Sequence, residues 1–584
     1  GNIVTLATNT YDNLGRLLTK SPHGSSINKL TYTYNLRDWL TEIKSAKFTQ
    51  NLYYNTGNNT ACYNGNISSM TWKSGTESAT RGYKFTYDNL NRMKNAVYGE
   101  GTTISANAGR FSENITGYDR NGNITSLQRY GKSSGTAYGI IDNLTIAYTG
   151  NQLKYANDAA TDPLYNGAFN FVDGSNSTGN EYIFDRNGNL QQDYNKKISK
   201  IQYNQLNLPS TQQFTNGNRA DYLYGADGVK RRVTHKTAIA NISVPMGQIK
   251  ELTSGQVSQT HTTDYCGNVI YENGNLSKIL TEEGFVTVSG TTPTYHYYLK
   301  DHQGNNRVVL HQNGTTVEQV NHYYPFGGLF GEGTATSNQA YKYNGKELDR
   351  MHGLDWYDYG VRMYDAALGR FHTNDRFAEK YYSMSTYQYG ANNPIRNVDV
   401  NGDSLVVLHL TTGEHLGMLI QDNSEQWKYY SFNGDKIYNS TEGSMGGGPE
   451  DNKGERSWSS PQAFLDDSYN QSTSKEDLEN GEVNGYGYQE GYMIPTSEEQ
   501  DKIVREAFLA TIDQGYSLIK NQCSMAVQKA LNAAGLKTQV NYAYSPMGAP
   551  ALYSSNAQYN PYLPSVAYRT IVANNPNGIY FKKR

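Results

Sequence analysis

Cysteine is scarce in this sequence: there are three among 584 residues, at Cys62, Cys266 and Cys523. They lie far apart, show no Cys-x-x-Cys spacing and are odd in number, so they predict neither a disulfide framework nor a zinc site. We therefore expect no metal and no cofactor, and each cysteine has to be considered separately.

The sequence also lacks an excess of charge of one sign. It carries 51 Lys and Arg residues against 54 Asp and Glu residues, with no basic run, which gives no electrostatic support for binding nucleic acid. No stretch of about 18 apolar residues occurs, so we expect no membrane-spanning helix. The sequence opens inside a repeat without a signal peptide, and we expect any export signal to lie upstream of Gly1.

Tyrosine and glycine are abundant instead. There are 51 Tyr and 57 Gly residues, against 16 Phe and 15 Pro residues. Tyrosine favours strands and glycine favours turns, a composition typical of many short β-strands joined by tight turns. A length of 584 residues exceeds what one hydrophobic core usually supports, so we expect about two to four folding units.

A short motif recurs through the first half of the chain: an aromatic residue, Asp, two variable residues, Gly or Asn, and a polar residue. Clear copies begin at Tyr11, Tyr87, Tyr118 and Phe184, and weaker ones at Tyr34, Tyr203 and Tyr224. The Asp side chain can bond the backbone two residues on, and Gly or Asn tolerates positive φ, so each copy predicts a tight turn after a strand that ends in tyrosine. One copy would indicate only a hairpin in an all-β protein, but the repetition predicts a long winding sheet.

These motifs resemble the YD repeats of Rhs-type and teneurin-type shells. The resemblance covers residues 1–402 and implies a mainly β fold, in which hairpins spiral into a hollow cocoon. The spacing is irregular, with insertions such as 174–180. We assign residues 1–294 to a YD-repeat β-shell.

A denser series of motifs follows the repeats. It runs through YYLKDHQGN at 297–305, YYPFG at 323–327, YNGKE at 343–347, WYDYGVRMYD at 356–365, LGRF at 368–371 and YQYGANNPI at 387–395. The series resembles the Rhs-associated core domain in its Bacteroidetes-like form, and we assign residues 295–402 to it. The resemblance implies a plug for the shell, followed by a variable C-terminal domain that is often a toxin. It also implies a bacterial protein that is secreted or displayed on the cell surface, with a secretion apparatus and a cognate immunity protein as partners.

Some members of that family cut themselves near this junction with two aspartates in Asp-Pro contexts, which act as a carboxylate pair. The matching positions are Asp375 and Asp399, but both prolines are missing, and Asp403 stands where a leucine would follow. We therefore expect no efficient self-cleavage. The alternative role for both aspartates is turn formation beside Asn and Gly.

The YD motifs end before Gly402, and we assign residues 403–584 to a separate α+β domain. Strands are predicted at 405–410, 416–420 and 427–432, and the polar stretch 443–491 is predicted to be a long loop or an ordered insertion without a core of its own. Two helices are predicted to follow, one opening with a capping box from Thr496 to Glu499 and one running from about Asn521 to Gly535.

The second predicted helix carries a candidate nucleophile. Cys523 lies in its first turn behind an asparagine N-cap, where free N–H groups and the helix dipole stabilise a thiolate and can hold an oxyanion. A thiol nucleophile needs a base. His415, at the mouth of a predicted strand, fits that role better than His409, which lies inside the preceding strand.

A histidine strand before a cysteine helix resembles the circularly permuted papain-like enzymes of the NlpC type, which also occur as toxin cargo. The resemblance implies a third polar group that orients the base, for which Gln426 is the candidate and Ser431 the alternative. It implies a cysteine-dependent amidase or peptidase, with Cys523 attacking an acyl carbonyl of a peptide or peptidoglycan-like substrate and His415 as base. Deamidation and acyl transfer stay open.

The sequence thus predicts a Rhs-type polymorphic toxin for interbacterial competition, whose shell encapsulates or presents a C-terminal effector. Two other interpretations stay open. A lone helical cysteine is often a small buried hydrophobe, and the chain would then be a non-enzymatic surface or adhesion protein with an inert C-terminal cap. A toxin of another chemistry, such as a nuclease, has less support because the tail lacks His and Asp clusters and a basic balance.

Overall fold

The computed structural model describes the first two thirds of the chain almost continuously and the remainder in pieces. The described residues are 3–12, 16–160, 168–333, 339–376, 378, 384–399, 404–410, 415–421, 427–431, 452–458, 490–495, 504, 507, 527–528, 530–531, 536, 571 and 579–582. The chain divides into two compact units, Gly1–Asp399 and Val400–Arg584.

The first unit begins with a sheet of 12 antiparallel strands, each paired with the next along the chain. The strands are β1 (Ala7–Tyr11), β2 (Leu17–Pro22), β3 (Leu30–Tyr34), β4 (Leu40–Lys44), β5 (Phe48–Tyr53), β6 (Ser69–Ser74), β7 (Arg81–Tyr87), β8 (Met93–Glu100), β9 (Glu113–Tyr118), β10 (Ile124–Lys132), β11 (Tyr138–Thr149) and β12 (Gln152–Asp158).

A second sheet of 13 strands continues the same meander. Its strands are β13 (Tyr182–Phe184), β14 (Leu190–Asp193), β15 (Ile198–Tyr203), β16 (Pro209–Phe214), β17 (Arg219–Tyr224), β18 (Lys230–Ala238), β19 (Val257–Cys266), β20 (Val269–Glu272), β21 (Asn275–Thr281), β22 (Gly284–Ser289), β23 (Thr292–Lys300), β24 (Asn306–His311) and β25 (Val317–Val320). The predicted mainly β fold of successive antiparallel hairpins is confirmed. Strands β23 to β25 belong to this sheet although they fall in or beside the predicted core domain.

A small sheet of four short strands follows, β26 (Glu347–Asp349), β27 (Trp356–Asp358), β28 (Met363–Asp365) and β29 (Arg370–Phe371). Short 3-10 turns lie at Ser254–Gln256, Tyr343–Gly345, Met351–Gly353 and Gly390–Asn392.

The repeated motif folds into one kind of turn, organised by its aspartate. In the copy at Asp88, Oδ1 accepts the backbone N–H groups of Leu90 and Arg92, both at 2.9 Å, and Oδ2 accepts Nε of Arg92 at 2.6 Å. Asn91 takes the predicted left-handed conformation, with φ 63°. The carboxylates of Asp119, Asp185 and Asp301 each accept two backbone N–H groups in the same way.

The tyrosine before each turn ties its hairpin to the preceding one. The incoming strand ends at this residue, as predicted, and the pairing register shifts there by a β-bulge in copies such as Thr86 to Tyr87. The hydroxyl of Tyr87 donates to the carbonyl of Ile67 at 2.7 Å. Ile67 lies just before β6, the second strand of the preceding hairpin. The corresponding pairs are Tyr34 with Leu17, Tyr54 with Leu40, Tyr118 with Met93, Tyr148 with Ile124, and Tyr203 with Leu190.

The two sheets meet along two seams. At one seam, the N–H of Glu181 donates to the carbonyl of Lys154 at 2.8 Å, and a carboxylate oxygen of Glu181 accepts the N–H of Ala156 at 3.1 Å. At the other, Lys20 pairs with Glu283 at 2.7 Å. The sheets therefore surround a common interior.

Aromatic rings from the residues after β25 fill this interior. They are buried and belong to the same core cluster as side chains of both sheets; among them are Tyr323, Tyr324, Phe326, Phe330, Tyr343, Trp356, Tyr357, Tyr359, Tyr364, Phe371 and Tyr389. We call the described residues of 321–369 the plug.

The plug buries irregular backbone, whose carbonyl groups need hydrogen-bond donors. Three consecutive carbonyls of its first loop each accept a tyrosine hydroxyl. The pairs are Tyr343 with Pro325, Tyr364 with Phe326, and Tyr357 with Gly327, at 2.8–3.0 Å. Tyrosine therefore serves the plug as a donor as well as a large apolar ring, which phenylalanine could not do.

The second unit contains a six-stranded antiparallel sheet in the order β33-β32-β31-β30-β34-β35. The strands are β30 (Ser404–Leu410), β31 (His415–Gln421), β32 (Trp427–Ser431), β33 (Asn452–Trp458), β34 (Glu490–Pro495) and β35 (Ile579–Lys582). The three predicted strands are present. Of the two alternatives for 443–491, the long loop is wrong at β33, because pairing with β32 holds a polar sequence in strand conformation that its pattern does not indicate.

Helical residues of the second unit are described at Val504, Ala507, 527–528, 530–531 and Ile571. All but Ile571 fall within the two predicted helices, whose first residues lie outside the described part of the chain. No helix among the described residues is long and apolar enough to cross a membrane.

The hydroxyl bond between hairpins can be tested with Tyr87→Phe. The variant removes the donor to the Ile67 carbonyl, so we expect it to lower the free energy of unfolding by about 1 kcal/mol. Tyr224→Phe is the matched control, because among the described residues the Tyr224 hydroxyl has no hydrogen-bond partner. Urea unfolding followed by tryptophan fluorescence measures both. Equal losses in the two variants would contradict the assigned role.

Candidate functional site

The described residues of 370–397, which we call the clasp, run along the turns of both sheets. Clasp side chains donate hydrogen bonds to backbone carbonyls of those turns. The donor and acceptor pairs are Arg370 with Asn151, Asn374 with Asn187, Tyr387 with Gly188, Asn392 with Gly122, and Asn393 with Asn91, at 2.6–2.9 Å. The clasp thus joins turns that are far apart in sequence.

Three of the five acceptor carbonyls, those of Asn91, Gly122 and Gly188, belong to left-handed turn positions. Gly188 has φ 81°, and a Cβ built there would lie 2.0 Å from Asn374 Nδ2 and 2.8 Å from the Tyr387 hydroxyl. Glycine is therefore required at this turn for two reasons, its backbone conformation and the close approach of the clasp.

A buried arginine joins the first sheet to the plug. The fully buried guanidinium of Arg129 pairs with Glu113 and Asp142, and its Nη2 donates to the carbonyls of Ala366 and Ala367 at 3.3 and 3.2 Å. Burial raises the pKa of Asp142 to about 6, although Arg129 lowers it. Removing Arg129 would leave two buried carboxylates without a cation, so the plug and the sheet depend on each other.

A lysine of the second sheet contacts the plug in the same manner. Nζ of Lys230 lies 2.8 Å from Glu347 and 2.6 Å from Asp358. Burial lowers the pKa of Lys230, but the two carboxylates raise it more, so it stays above its usual value. Both sheets therefore hold the plug through desolvated charges.

Asp375 and Asp399, the two aspartates that match the family's cleavage pair, both form an ion pair with Arg362. Nη2 of Arg362 is 2.9 Å from Asp375 and 2.6 Å from Asp399, and its guanidinium lies 3.8 Å from the ring centre of Phe371. Burial raises the pKa of Asp399, Arg362 lowers it, and the charge of Asp375 raises it. A carboxylate pair of the protease type shares a proton, whereas a shared arginine favours two ionised carboxylates. The arrangement therefore favours a structural role for Asp375 and Asp399, which Arg362 links, over a role in self-cleavage.

Of the residues predicted for thiol chemistry, Cys523 and Gln426 lie outside the described residues. His415 is the first residue of β31, and its backbone pairs with Leu410 at the end of β30. The alternative third residue, Ser431, is the last of β32. The described residues therefore place the histidine at the mouth of its strand, and the assembled site stays a prediction.

The helix that follows Cys523 is described at four positions. Val527, Gln528, Ala530 and Leu531 are all helical and buried, within the helix predicted from about Asn521 to Gly535.

Sequence reasoning missed the residues that link the plug, the clasp and the shell. Arg129 and Arg362 stand in segments without any local sign of burial, and their carboxylate partners are distant in sequence. The one available signal was the pair Asn392 and Asn393 before a proline, since adjacent amides can each donate to a backbone carbonyl. Among the described residues, no three His, Cys, Asp or Glu side chains are arranged to hold a metal ion.

Arg362→Met tests the shared cation. It leaves Asp375 and Asp399 together without a counter-charge, and we expect the free energy of unfolding to fall by about 2–3 kcal/mol at neutral pH. The pKa of Asp399, already raised, would rise further, so the folded state would bind a proton more readily than the unfolded state. Part of the lost stability should therefore return as the pH falls from 7 to about 5. The control Arg350→Met removes an exposed pair and should cost less than about 1 kcal/mol.

The shared arginine also predicts that the chain stays uncut. Purified protein kept at about pH 5, where a proton-sharing carboxylate pair would be active, should retain its full-length mass by mass spectrometry. A cut near Asp399 that Asp399→Asn abolishes would overturn the structural role of the pair.

Comparison with known proteins gives partial matches. No protein-family model matches the chain. A stretch of 260 residues is 28% identical to salivary gland surface protein 1 of Aedes aegypti. The match covers 41% of this chain and 7% of that protein. The solved structure of TcdB2-TccC3 without its hypervariable C-terminal region is 16% identical with a TM-score of 0.44, covering 68% of this chain and 20% of that one. A Tc holotoxin pore of Photorhabdus luminescens is 16% identical with a TM-score of 0.42, covering 68% and 21%. The chain spans a small part of each of these proteins.

Proposed function

We propose that the chain is a Rhs-type toxin, in which the first unit is a YD-repeat shell and the second unit is its effector. The observation that carries the proposal is the fixed end of the shell. Arg362 holds Asp375 in the clasp and also Asp399, the last residue of the first unit. A separate compact unit that follows a firmly anchored residue is the arrangement expected of a carrier and its cargo.

The effector chemistry that we propose is thiol-dependent acyl transfer to water. The Cys523 thiolate attacks an acyl carbonyl, with His415 as the base that takes the thiol proton. Backbone N–H at Cys523 stabilises the oxyanion, and Gln426 orients the imidazole. His415 then protonates the leaving amine, and water releases the acyl group. The strand that opens at His415 and the helical residues from Val527 support this arrangement.

The substrate class that fits this chemistry is a peptide or a peptidoglycan-like amide, and the same groups would serve deamidation or transfer to another acceptor. As for other toxins of this type, we propose a bacterial protein that is secreted or displayed on the cell surface. Its partners would be a secretion apparatus and a cognate immunity protein that protects the producing cell.

The alternative is a non-enzymatic surface or adhesion protein with an inert C-terminal cap. The match of 260 residues to a salivary gland surface protein favours this alternative, because that protein's name places it at a surface. The two proposals differ in whether Cys523 reacts.

Growth of bacteria that express the full chain, or residues 400–584 alone, tests the effector proposal. We expect the wild type to stop growth in one compartment, cytoplasmic or exported, and Cys523→Ala to restore growth by at least about tenfold in surviving cells, as for loss of a nucleophile. Cys266→Ala is the matched control, since Cys266 is an exposed thiol of the first unit. It should leave toxicity unchanged.

Thiol labelling separates the two proposals. Cys523 should react with iodoacetamide at neutral pH faster than Cys266, because a helix N-terminus favours the thiolate. Burial raises the pKa of Cys62, so it should react more slowly than either. An unreactive Cys523, together with harmless or equally toxic wild type and Cys523→Ala, would favour the surface protein.

A further inference from the structure

One copy of the repeated motif has a lysine at a position that is apolar in the other copies. The sixth residue after the motif aromatic begins the second strand of the hairpin. It is apolar in the copies with Leu17, Leu40, Met93, Ile124, Leu190 and Pro209. In the copy that begins at Tyr224 it is Lys230, the first residue of β18. This copy therefore brings an amine to a position that the repeat otherwise gives to apolar side chains.

The plug places two carboxylates beside this lysine. Glu347 in β26 and Asp358 in β27 are paired directly across the two strands. Like charges at such a pair repel each other unless a cation lies between them. Nζ of Lys230 lies 2.6 Å from Oδ2 of Asp358 and 2.8 Å from Oε2 of Glu347. One amine is thus in contact with two carboxylates.

The tyrosine of the next strand also departs from the repeat. In other hairpins its hydroxyl donates to the carbonyl of the residue that begins the preceding strand, as Tyr118 does to Met93. For Tyr265 that residue is Lys230, but the Tyr265 hydroxyl donates to both carboxylate oxygens of Glu347, at 2.8 and 2.9 Å. The centre of its ring lies 4.5 Å from Nζ of Lys230. Glu347 is therefore held as an acceptor beside the amine.

Aromatic rings shield these three groups from water. The side chains of Lys230, Asp358 and Glu347 are 14, 11 and 21% exposed. Burial raises the pKa of three further tyrosines, and the charges of Lys230 and Asp358 contribute to each value, which shows that they lie close to the site: Tyr222, Tyr224 and Tyr341. The amine and its two carboxylates are therefore largely desolvated.

An ammonium and a carboxylate in contact are the two halves of an amide bond. In water, their condensation is opposed by the excess of water and by the hydration of both charges. A desolvated site weakens both effects, because proton transfer from the ammonium to a carboxylate replaces two poorly solvated charges by neutral groups. Groups held in reacting geometry also act at effective concentrations that reach about 10⁵ M or more. A second carboxylate beside the amine can serve as the base.

We propose that the side chains of Lys230 and Asp358 form an amide bond, which links the second sheet covalently to the plug. Nζ of Lys230 attacks the carboxyl carbon of Asp358, and the bond from that carbon to one oxygen breaks. Nζ loses two protons, which Glu347 relays to the departing oxygen, so that one water molecule leaves and Glu347 ends as it began. Asp358 is the acyl partner because its oxygen is nearer and because Glu347 is held by Tyr265.

Mass spectrometry of the full chain tests the bond directly. Protein purified and kept at neutral pH should weigh less than its sequence by the mass of one water molecule. Protease digestion should give a branched peptide that joins the segments of Lys230 and Asp358, identified by its fragment masses. The matched control in the same digest is Lys20, which pairs with the single carboxylate of Glu283 at 2.7 Å. Lys20 lacks a second carboxylate among the described residues, so it should occur only in linear peptides.

Two variants test the roles in the reaction. Lys230→Arg keeps the positive charge but replaces the amine by a guanidinium that stays protonated, so the variant should keep its full mass. Glu347→Gln keeps the size of the side chain and removes the base, so the branched peptide should be at least about tenfold less abundant. Both variants should migrate more slowly than the wild type in a denaturing gel, because the bond closes a large loop. Circular dichroism checks that each variant is folded.

The proposal fails if the wild-type chain keeps its full mass, or if the lost water maps to another pair of residues. It also fails if folded Glu347→Gln forms the branched peptide to the same extent as the wild type, since the reaction requires that carboxylate. The contact of Lys230 with the plug would then be an ion pair alone.

Discussion

The first unit depends on the hydrogen bonds of one four-residue turn and the tyrosine that precedes it. A long antiparallel meander is prone to slip, because a shift of one residue exchanges the two faces of a strand. The carboxylate of Asp88 sets the turn by binding two backbone N–H groups, and the hydroxyl of Tyr87 sets the distance to the preceding hairpin. Neither bond needs a particular residue at the two variable positions, so Leu90 is exposed and the repeats tolerate irregular spacing.

The same chemistry explains how the interior can be filled by a chain with so little regular structure. Buried irregular backbone leaves carbonyls that cost free energy unless they are bonded. Tyrosines such as Tyr364 bury a ring and donate to one of these carbonyls in the same step. Arg129 and Lys230 add cations between the plug and the sheets. The plug is therefore bound by polar contacts that fit one arrangement, which an apolar filling alone would not specify.

The sequence predicted the repeat, the turn conformation and the mainly β fold because these depend on local chemistry. Asp at the first turn position and Gly or Asn at the fourth can be recognised directly in the sequence, and so can the strand that begins at His415. Arg362 could not be predicted, because its partners Asp375 and Asp399 become neighbours only when the clasp has followed the turns. The strand β33 was missed because its polar sequence becomes a strand only through pairing with β32. The proposed thiol site depends on similar distant contacts, so motif spacing alone could not assemble it.

The contacts of the clasp do not depend on the sequence of the unit that follows it. Its donors bind backbone carbonyls of the turns, which every residue possesses, and left-handed positions such as Gly188, which the turn itself requires. Beyond the clasp, Arg362 of the plug contacts the carboxylate of Asp399, and both residues belong to the first unit. The bonds that close the shell therefore use groups fixed by the repeat and the plug. A replacement of the chain beyond Asp399 would remove none of them, as the proposed role of a shell that carries an effector requires.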